Sequence, residues 1–310
     1  MRVAVTGASG FVGRAVVARL ADAGHAARAV VRAGAGPPQA TETMAAGDLA
    51  AADLAPVVAG CEGVVNCAAR VHVLRREDRE AALAAYRAAN RDMPLRLAQA
   101  AREAGAAVFV QLSSLAAVAS ASRPGETLDD STAPRPERPY GIAKREGDEA
   151  LLALARPGFR VVCLRPPAVF GPGVGAWFAW LLRASRLGLP LPIGAVVNAR
   201  SFVALHNVAD AVAAALAAPV AGAYVVSDSP PLSSAALYRA LLALHGHPDR
   251  AWRWPPAVVA GLARAALGDR AESLLGDCAC DGARFAAEAG WTPRQSFAEA
   301  LAATVRGERC

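Results

Sequence analysis

Apolar residues fall in short blocks along the first half of the chain, and between the blocks they recur at helical spacing. Residues 3–6 form a first apolar run, residues 10–23 carry a helical period that stops at Gly24, and residues 26–31 form a second run. Further runs at 43–46, 63–67, 107–112 and 160–164 read as strands, with helical patterns between them at 53–59, 80–104 and 141–155. Apolar strands alternating with helices predict a parallel sheet covered on both faces. The expected fold class is α/β, a doubly wound parallel sheet.

After Arg165 the rhythm breaks into Pro166, Pro167, Gly171, Pro172, Gly173 and Gly175, followed by Trp177, Phe178 and Trp180. Such punctuation predicts a crossing into a second lobe. Residues 202–205, 208–217 and 224–226 then restore strand, helix and strand, so the chain is expected to return to the first domain before ending in a mainly helical segment. The predicted division is 1–168 with 201–226 for the α/β domain, and 169–200 with 227–310 for a smaller, mainly helical lobe.

Composition narrows the class. Of 310 residues 54% are apolar and 19% charged, which excludes a disordered or fibrous chain. The net charge of +6 is spread without a block of like charges, which argues against a nucleic-acid face and weakly for a small anionic ligand. The uncharged stretch 104–122 contains Gly105, Gln111, Ser113 and Ser114, as a strand entering a polar loop would, so no membrane insertion is expected. Gly7, Gly10, Gly13 and Arg14 interrupt the N-terminal apolar run where a signal peptide needs continuity, and a cytoplasmic location is expected. The six cysteines lack zinc spacing; buried, reduced thiols and no metal are expected. Among the 33 basic residues only Lys144 is a lysine, which marks a position where arginine does not serve.

Three local patterns carry chemistry. Thr6-Gly7-Ala8-Ser9-Gly10-Phe11-Val12-Gly13 follows the first strand and opens the first helix, and its glycines let backbone N–H groups at the positive helix end approach a pyrophosphate. The second strand ends in Val30-Val31-Arg32 with no acid until Glu42. An acid there would bind a ribose 2′-hydroxyl, whereas an arginine holds a 2′-phosphate, so NADP is favoured and NAD is the alternative. Tyr140 and Lys144 stand one helical turn apart, where an ammonium is expected to lower the phenol's pKa and fit it for proton transfer. Lys144 can also reach ribose hydroxyls as a compact donor.

Together with Asp48-Leu49, Asn66-Cys67-Ala68-Ala69, Asn90, Ser113-Ser114 and the stretch Leu164-Arg165-Pro166-Pro167-Ala168-Val169-Phe170-Gly171-Pro172-Gly173, these patterns resemble the extended short-chain dehydrogenases/reductases. More narrowly, they resemble the NAD-dependent epimerase/dehydratase family that acts on nucleotide sugars. The similarity runs on through Arg200-Ser201-Phe202-Val203, Asn207-Val208-Ala209-Asp210 and Ala289-Gly290-Trp291, nearly the whole chain.

The resemblance implies roles for individual residues. Tyr140 would be the acid/base, Lys144 its partner and a nicotinamide-ribose ligand, and Ser114, or alternatively Ser113, the donor to the reacting oxygen. Asn90 would support a water and proton relay. Gly7, Ser9, Gly10, Phe11, Val12, Arg32, Asp48, Leu49, Ala68, Ala69 and Pro167 would line the cofactor, Asp48 and Leu49 at its adenine. Arg200 and Arg270 would hold the substrate diphosphate, and His72 would line the sugar pocket. Two departures matter: Ala168 stands where many sugar epimerases carry asparagine, and Leu115-Ala116 stands where dehydratases show an acidic pair, which removes dehydration.

The expected function is hydride transfer at C4 of a UDP-linked sugar, with a 4-ketoreductase using NADPH placed first and a 4-epimerase retaining NAD second. Reduction of a lipid-like or flavonoid ketone stays open, because fold alone does not set substrate. A non-catalytic dinucleotide sensor is opposed by the intact Tyr140 and Lys144. The resemblance also implies a homodimer built on two helices.

Overall fold

The computed structural model describes residues 1–71, 78–268 and 271–307. The strands are β1 (Arg2–Thr6), β2 (Ala26–Val31), β3 (Glu42–Ala45), β4 (Gly63–Asn66), β5 (Val108–Leu112), β6 (Arg160–Arg165), β7 (Ala168–Phe170), β8 (Phe202–Ala204) and β9 (Gly222–Val225). The helices are α1 (Phe11–Asp22), α2 (Ala55–Val58), α3 (Arg79–Arg87), α4 (Met93–Glu103), α5 (Pro139–Leu152), α6 (Ala176–Arg186), α7 (Leu205–Ala217), α8 (Ser234–Leu244), α9 (Pro256–Leu267), α10 (Ala271–Leu275), α11 (Ala283–Ala289) and α12 (Phe297–Arg306).

Among the described residues a seven-stranded sheet runs β3-β2-β1-β4-β5-β6-β9, every pair parallel. Successive strand residues face opposite sides of a sheet. Val3, Val5, Val65, Val110 and Val162 accordingly pack under α1 and α7, while Ala4, Val64, Phe109 and Val161 pack under α2, α4 and α5. Strand order reverses between β1 and β4, and ligands of such sheets bind in the crevice at that point.

Two sequence expectations change. The pattern at 80–104 is not one helix: a π-helical turn, Ala88–Asp92, separates α3 from α4, whose second residue is Pro94. Proline cannot donate back into a helix, and a π turn absorbs the resulting offset. The strand expected at 202–205 is β8, but it pairs with β7 outside the main sheet because Phe202 belongs to a separate aromatic core with Phe170 and Phe178. The helix after it, α7, does return to pack on α1, and β9 joins the main sheet. Around the β7–β8 pair, α6, α8 and α12 contribute Leu181, Leu237, Tyr238, Leu241 and Leu301 to that second core.

Candidate active site

At the switch point, Gly7 adopts φ +65°, and a Cβ there would lie 2.7 Å from Ala68 N. A Cβ on Gly13 would come within 2.1 Å of the Gly7 carbonyl oxygen. The turn is thus packed backbone on backbone, which only glycine allows. Gly10 caps the start of α1 and offers no side chain to its N–H groups, and the first turn holds no acidic residue, so these groups are left for a ligand. A cleft of about 750 Å³ opens in front of them, lined by Gly7, Ser9, Gly10, Arg32, Asp48, Leu49, Ala68, Ala69 and Met93 among others. An anionic dinucleotide fits this cradle: bare backbone donors, a positive helix end and no side chain in the way.

Behind the cleft the ends of three strands carry a buried polar ladder. Thr6, Asn66 and Gln111 stand in register on β1, β4 and β5. The Thr6 hydroxyl donates to Asn66 Oδ1 at 2.5 Å and Asn66 Nδ2 donates to Gln111 Oε1 at 2.8 Å. Asn66 Oδ1 also accepts the Ala68 N–H, so the ladder holds the backbone that faces Gly7.

Tyr140 and Lys144 lie on α5, which begins at Pro139, a residue suited to the first helical position. Two helix-interior glycines let α5 sit this deep: a Cβ on Gly141 would lie 2.4 Å from the Ala116 carbonyl oxygen, and one on Gly147 would lie 2.3 Å from that of Asn90. Lys144 is only 2% exposed; its Nζ donates to the Leu112 carbonyl at 2.9 Å and stands 6.0 Å from the Tyr140 ring centre. Burial lowers the Lys144 pKa to about 8, with Asp148 one turn further on opposing the fall. Asp148 is itself buried and bound to Arg165 Nε at 2.8 Å. The Tyr140 phenol is pushed up to about 12 by burial, against a hydrogen bond with Ser114. This direction is opposite to the lowering expected from the lysine, because removing a phenolate from water outweighs an ammonium whose hydrogen bond goes to Leu112. Tyr140 therefore holds its proton at neutral pH.

A second cavity, about 690 Å³, has Tyr140, Ser114, Pro167, Ala168, Trp177, Arg200 and Tyr86 in its wall. Helix α3 lines both spaces, turning Ala85 to the first and Tyr86 to the second. Tyr86 meets Tyr140 edge to face at 5.9 Å between ring centres. The Arg200 guanidinium lies over Trp177 and donates to the Gly276 carbonyl at 2.8 Å, while its Nε is buried without a partner. Arg200 is part of the cavity wall, and a guanidinium suits phosphate.

The structure gathers most of the sequence-predicted residues. Gly7, Ser9, Gly10, Arg32, Asp48, Leu49, Ala68 and Ala69 line the first cleft, and Ser114, Tyr140, Pro167 and Arg200 line the second. Pro167 lines the second cavity beside Ser114 and Tyr140. Phe11 and Val12 turn their side chains into the core, which leaves their backbone as the part near the cleft. Asn90 is buried in the π turn, accepting the Arg70 N–H and donating to the Arg70 carbonyl, both at 3.0 Å. Ser113 is buried beside Asp148. His72 and Arg270 lie outside the described residues. Sequence reading missed Tyr86, Trp177, Gln111 and Asp148. Of these, Asp148 alone had a local signal, an acid one turn beyond Lys144; the others meet the site from separate segments.

Comparison with known proteins gives consistent findings. A family model described as NAD dependent epimerase/dehydratase family matches residues 3–227. The chain is 33% identical over 251 residues to a UDP-glucose 4-epimerase of Vibrio cholerae, covering 78% of this chain and 75% of that protein. Its fold is similar to that of MoeE5 in complex with UDP-glucuronic acid and NAD, with a TM-score of 0.79 and 24% identity over 99% of this chain and 98% of that one. It is equally similar in fold to the UDP-glucose 4-epimerase of Thermotoga maritima with UDP-glucose, with a TM-score of 0.79 and 21% identity over 99% and 98% of the two chains. Among the described residues no helix is long and apolar enough to cross a membrane.

Proposed function

Because the chain belongs to the NAD dependent epimerase/dehydratase family, we propose that it holds a nicotinamide dinucleotide in the cleft before α1 and a UDP-linked sugar in the cavity lined by Tyr140, and inverts the sugar at C4. The observation that carries this reading is Tyr140 in the wall of the second cavity beside Ser114, one turn of α5 from the buried Lys144, with α3 lining both spaces. The dinucleotide supplies a hydride acceptor and donor when bound. Tyr140 Oη exchanges a proton with the oxygen on the sugar's C4. Ser114 Oγ already accepts the Ala116 N–H at 3.2 Å, so its own hydrogen is directed to Tyr140 or to the same sugar oxygen. Lys144 spends one donor on Leu112 and keeps two for the phenol and a ribose hydroxyl. Arg200 grips the diphosphate, so that binding energy remote from C4 orients the reacting carbon.

The epimerase reading has the support of the relatives and neighbours; the reductase reading, first on sequence, has no specific support from them. Two observations still favour the reductase. Arg32 is exposed at the cleft rim with no acid at the end of β2, the arrangement for a 2′-phosphate, and Ala168 removes a polar hold on the sugar. An epimerase keeps its cofactor, whereas a reductase exchanges it every turnover. Mass spectrometry of the purified protein, followed by incubation with UDP-glucose alone, separates them. Retained NAD and formation of the C4 epimer without added cofactor are expected. Consumption of one NADPH per UDP-4-keto sugar, with no epimerisation, would make it a reductase. In that case Arg32→Ala should weaken NADPH by about 1.5–3 kcal/mol and spare NADH.

A further inference from the structure

From Arg250 to Gly268 the chain contains three arginines and no acidic residue. The same segment exposes large apolar side chains: Trp252 at 54%, Trp254 at 40%, Val258 at 45% and Leu262 at 50%. On α9, Val258, Gly261, Leu262 and Ala265 are all exposed, at the i, i+3, i+4, i+7 spacing of one helical face. Val259 is buried in the second core, so α9 is anchored by one side and presents an apolar stripe on the other. Arg253 and Arg264 are exposed beside the stripe, and among the described residues neither pairs with a carboxylate. A helix normally turns such a stripe inward; a concentrated exposed one marks a contact surface.

We propose that this face docks on a bilayer containing anionic phospholipid, with Trp252 and Trp254 in the headgroup layer and the α9 stripe against the acyl boundary. Tryptophan's amphipathic ring suits that depth. Arginines without acids suit lipid phosphates, and apolar area and charge add in interfacial binding. A second copy fits less well, because a two-fold axis through the face pairs it with itself and brings the unpaired arginines of both copies together. The docking is superficial, since no described helix can cross a membrane. It sets the substrate side of the molecule near the surface: α10 follows α9, and its Glu272 pairs with Arg138, while Glu272 and Gly276 offer their carbonyls to Arg200.

The test is co-sedimentation of the full chain with vesicles of pure phosphatidylcholine and with vesicles containing one part in three phosphatidylglycerol. At least tenfold stronger partition to the anionic vesicles is expected, falling severalfold in high salt. Trp252→Ala with Trp254→Ala, and separately Arg253→Glu with Arg264→Glu, should each remove a factor of ten or more while dinucleotide binding and circular dichroism stay unchanged. Equal partition to both vesicle types, no partition, or variants that bind as the parent does would overturn the proposal. So would a solution dimer that the tryptophan variants convert to monomer, which would assign the face to a second copy.

Discussion

The cleft before α1 and the cavity lined by Tyr140 have similar volumes, about 750 and 690 Å³, and are built in opposite ways. The first is made by backbone in contact with backbone: Gly7 against Ala68, Gly13 against Gly7, and a polar ladder that fixes both strands. The second is made by side chains, Tyr86, Trp177 and Arg200, each from a different segment. Adding atoms should destroy the first, and removing them should destroy the second. Tyr140, in the wall of the second, and Lys144, buried one helical turn from it, should tolerate neither.

The largest effect is therefore expected at that pair. Tyr140→Phe and Lys144→Arg should each lower kcat by about 10²–10⁴-fold, the usual contribution of a positioned acid/base, with dinucleotide affinity changed little for the phenylalanine variant. Lys144→Met should be as inactive, yet its thermal midpoint should hold or rise, because a side chain whose charged form burial disfavours has been replaced by an apolar one. A wild-type turnover in any of these would remove α5 from the chemistry.

Gly13→Val tests the backbone-built cleft. Its first added carbon already meets Gly7 O at 2.1 Å, so dinucleotide affinity should fall at least ~100-fold, about 2.7 kcal/mol, in fluorescence titration. Gly10→Ala, with 3.0 Å to the same oxygen, should lose much less and keeps the test open if the valine variant does not fold. Binding of UDP should survive in the folded variant. In the side-chain cavity the pattern reverses: Arg200→Ala should weaken UDP by about 1.5–3 kcal/mol, as for a hydrogen bond to a charged group, and leave the dinucleotide alone. Equal losses of both ligands in either variant would mean that the two spaces are not independent.

The same contrast explains what could be read from the sequence. Backbone approach demands glycine at fixed offsets, and buried parallel strands demand uninterrupted apolar runs, so the sheet, the turn at Gly7 and the α5 pair were legible. The π turn was not, because Asn90 looks like an ordinary helical residue until its amide is seen bound to Arg70. Nor was the pairing of β8 with β7, which follows from aromatic packing of Phe202 with Phe170 and Phe178 and not from strand pattern. The raised Tyr140 pKa was missed because sequence spacing shows the neighbouring charge but not the burial that opposes it.

The smallest effect belongs to Asp148, which lines neither cavity and acts through Lys144. Arg165 neutralises it across 2.8 Å, and Lys144, one turn earlier, keeps part of its proton affinity because of the carboxylate. The Lys144 pKa near 8 lies below its ordinary 10.5, so the charged lysine is lost as pH rises through about 8, and turnover that needs the ammonium should fall there. Asp148→Asn removes the carboxylate, lowers the lysine further and should shift this alkaline limb to lower pH, by about one unit or less. Asp148→Glu should restore it if the longer side chain reaches Arg165. A purely structural role would lower the thermal midpoint of the asparagine variant and leave the limb where it was. An alkaline limb that stays in place while Lys144→Arg abolishes turnover would show that the proton lost near pH 8 is not the lysine's.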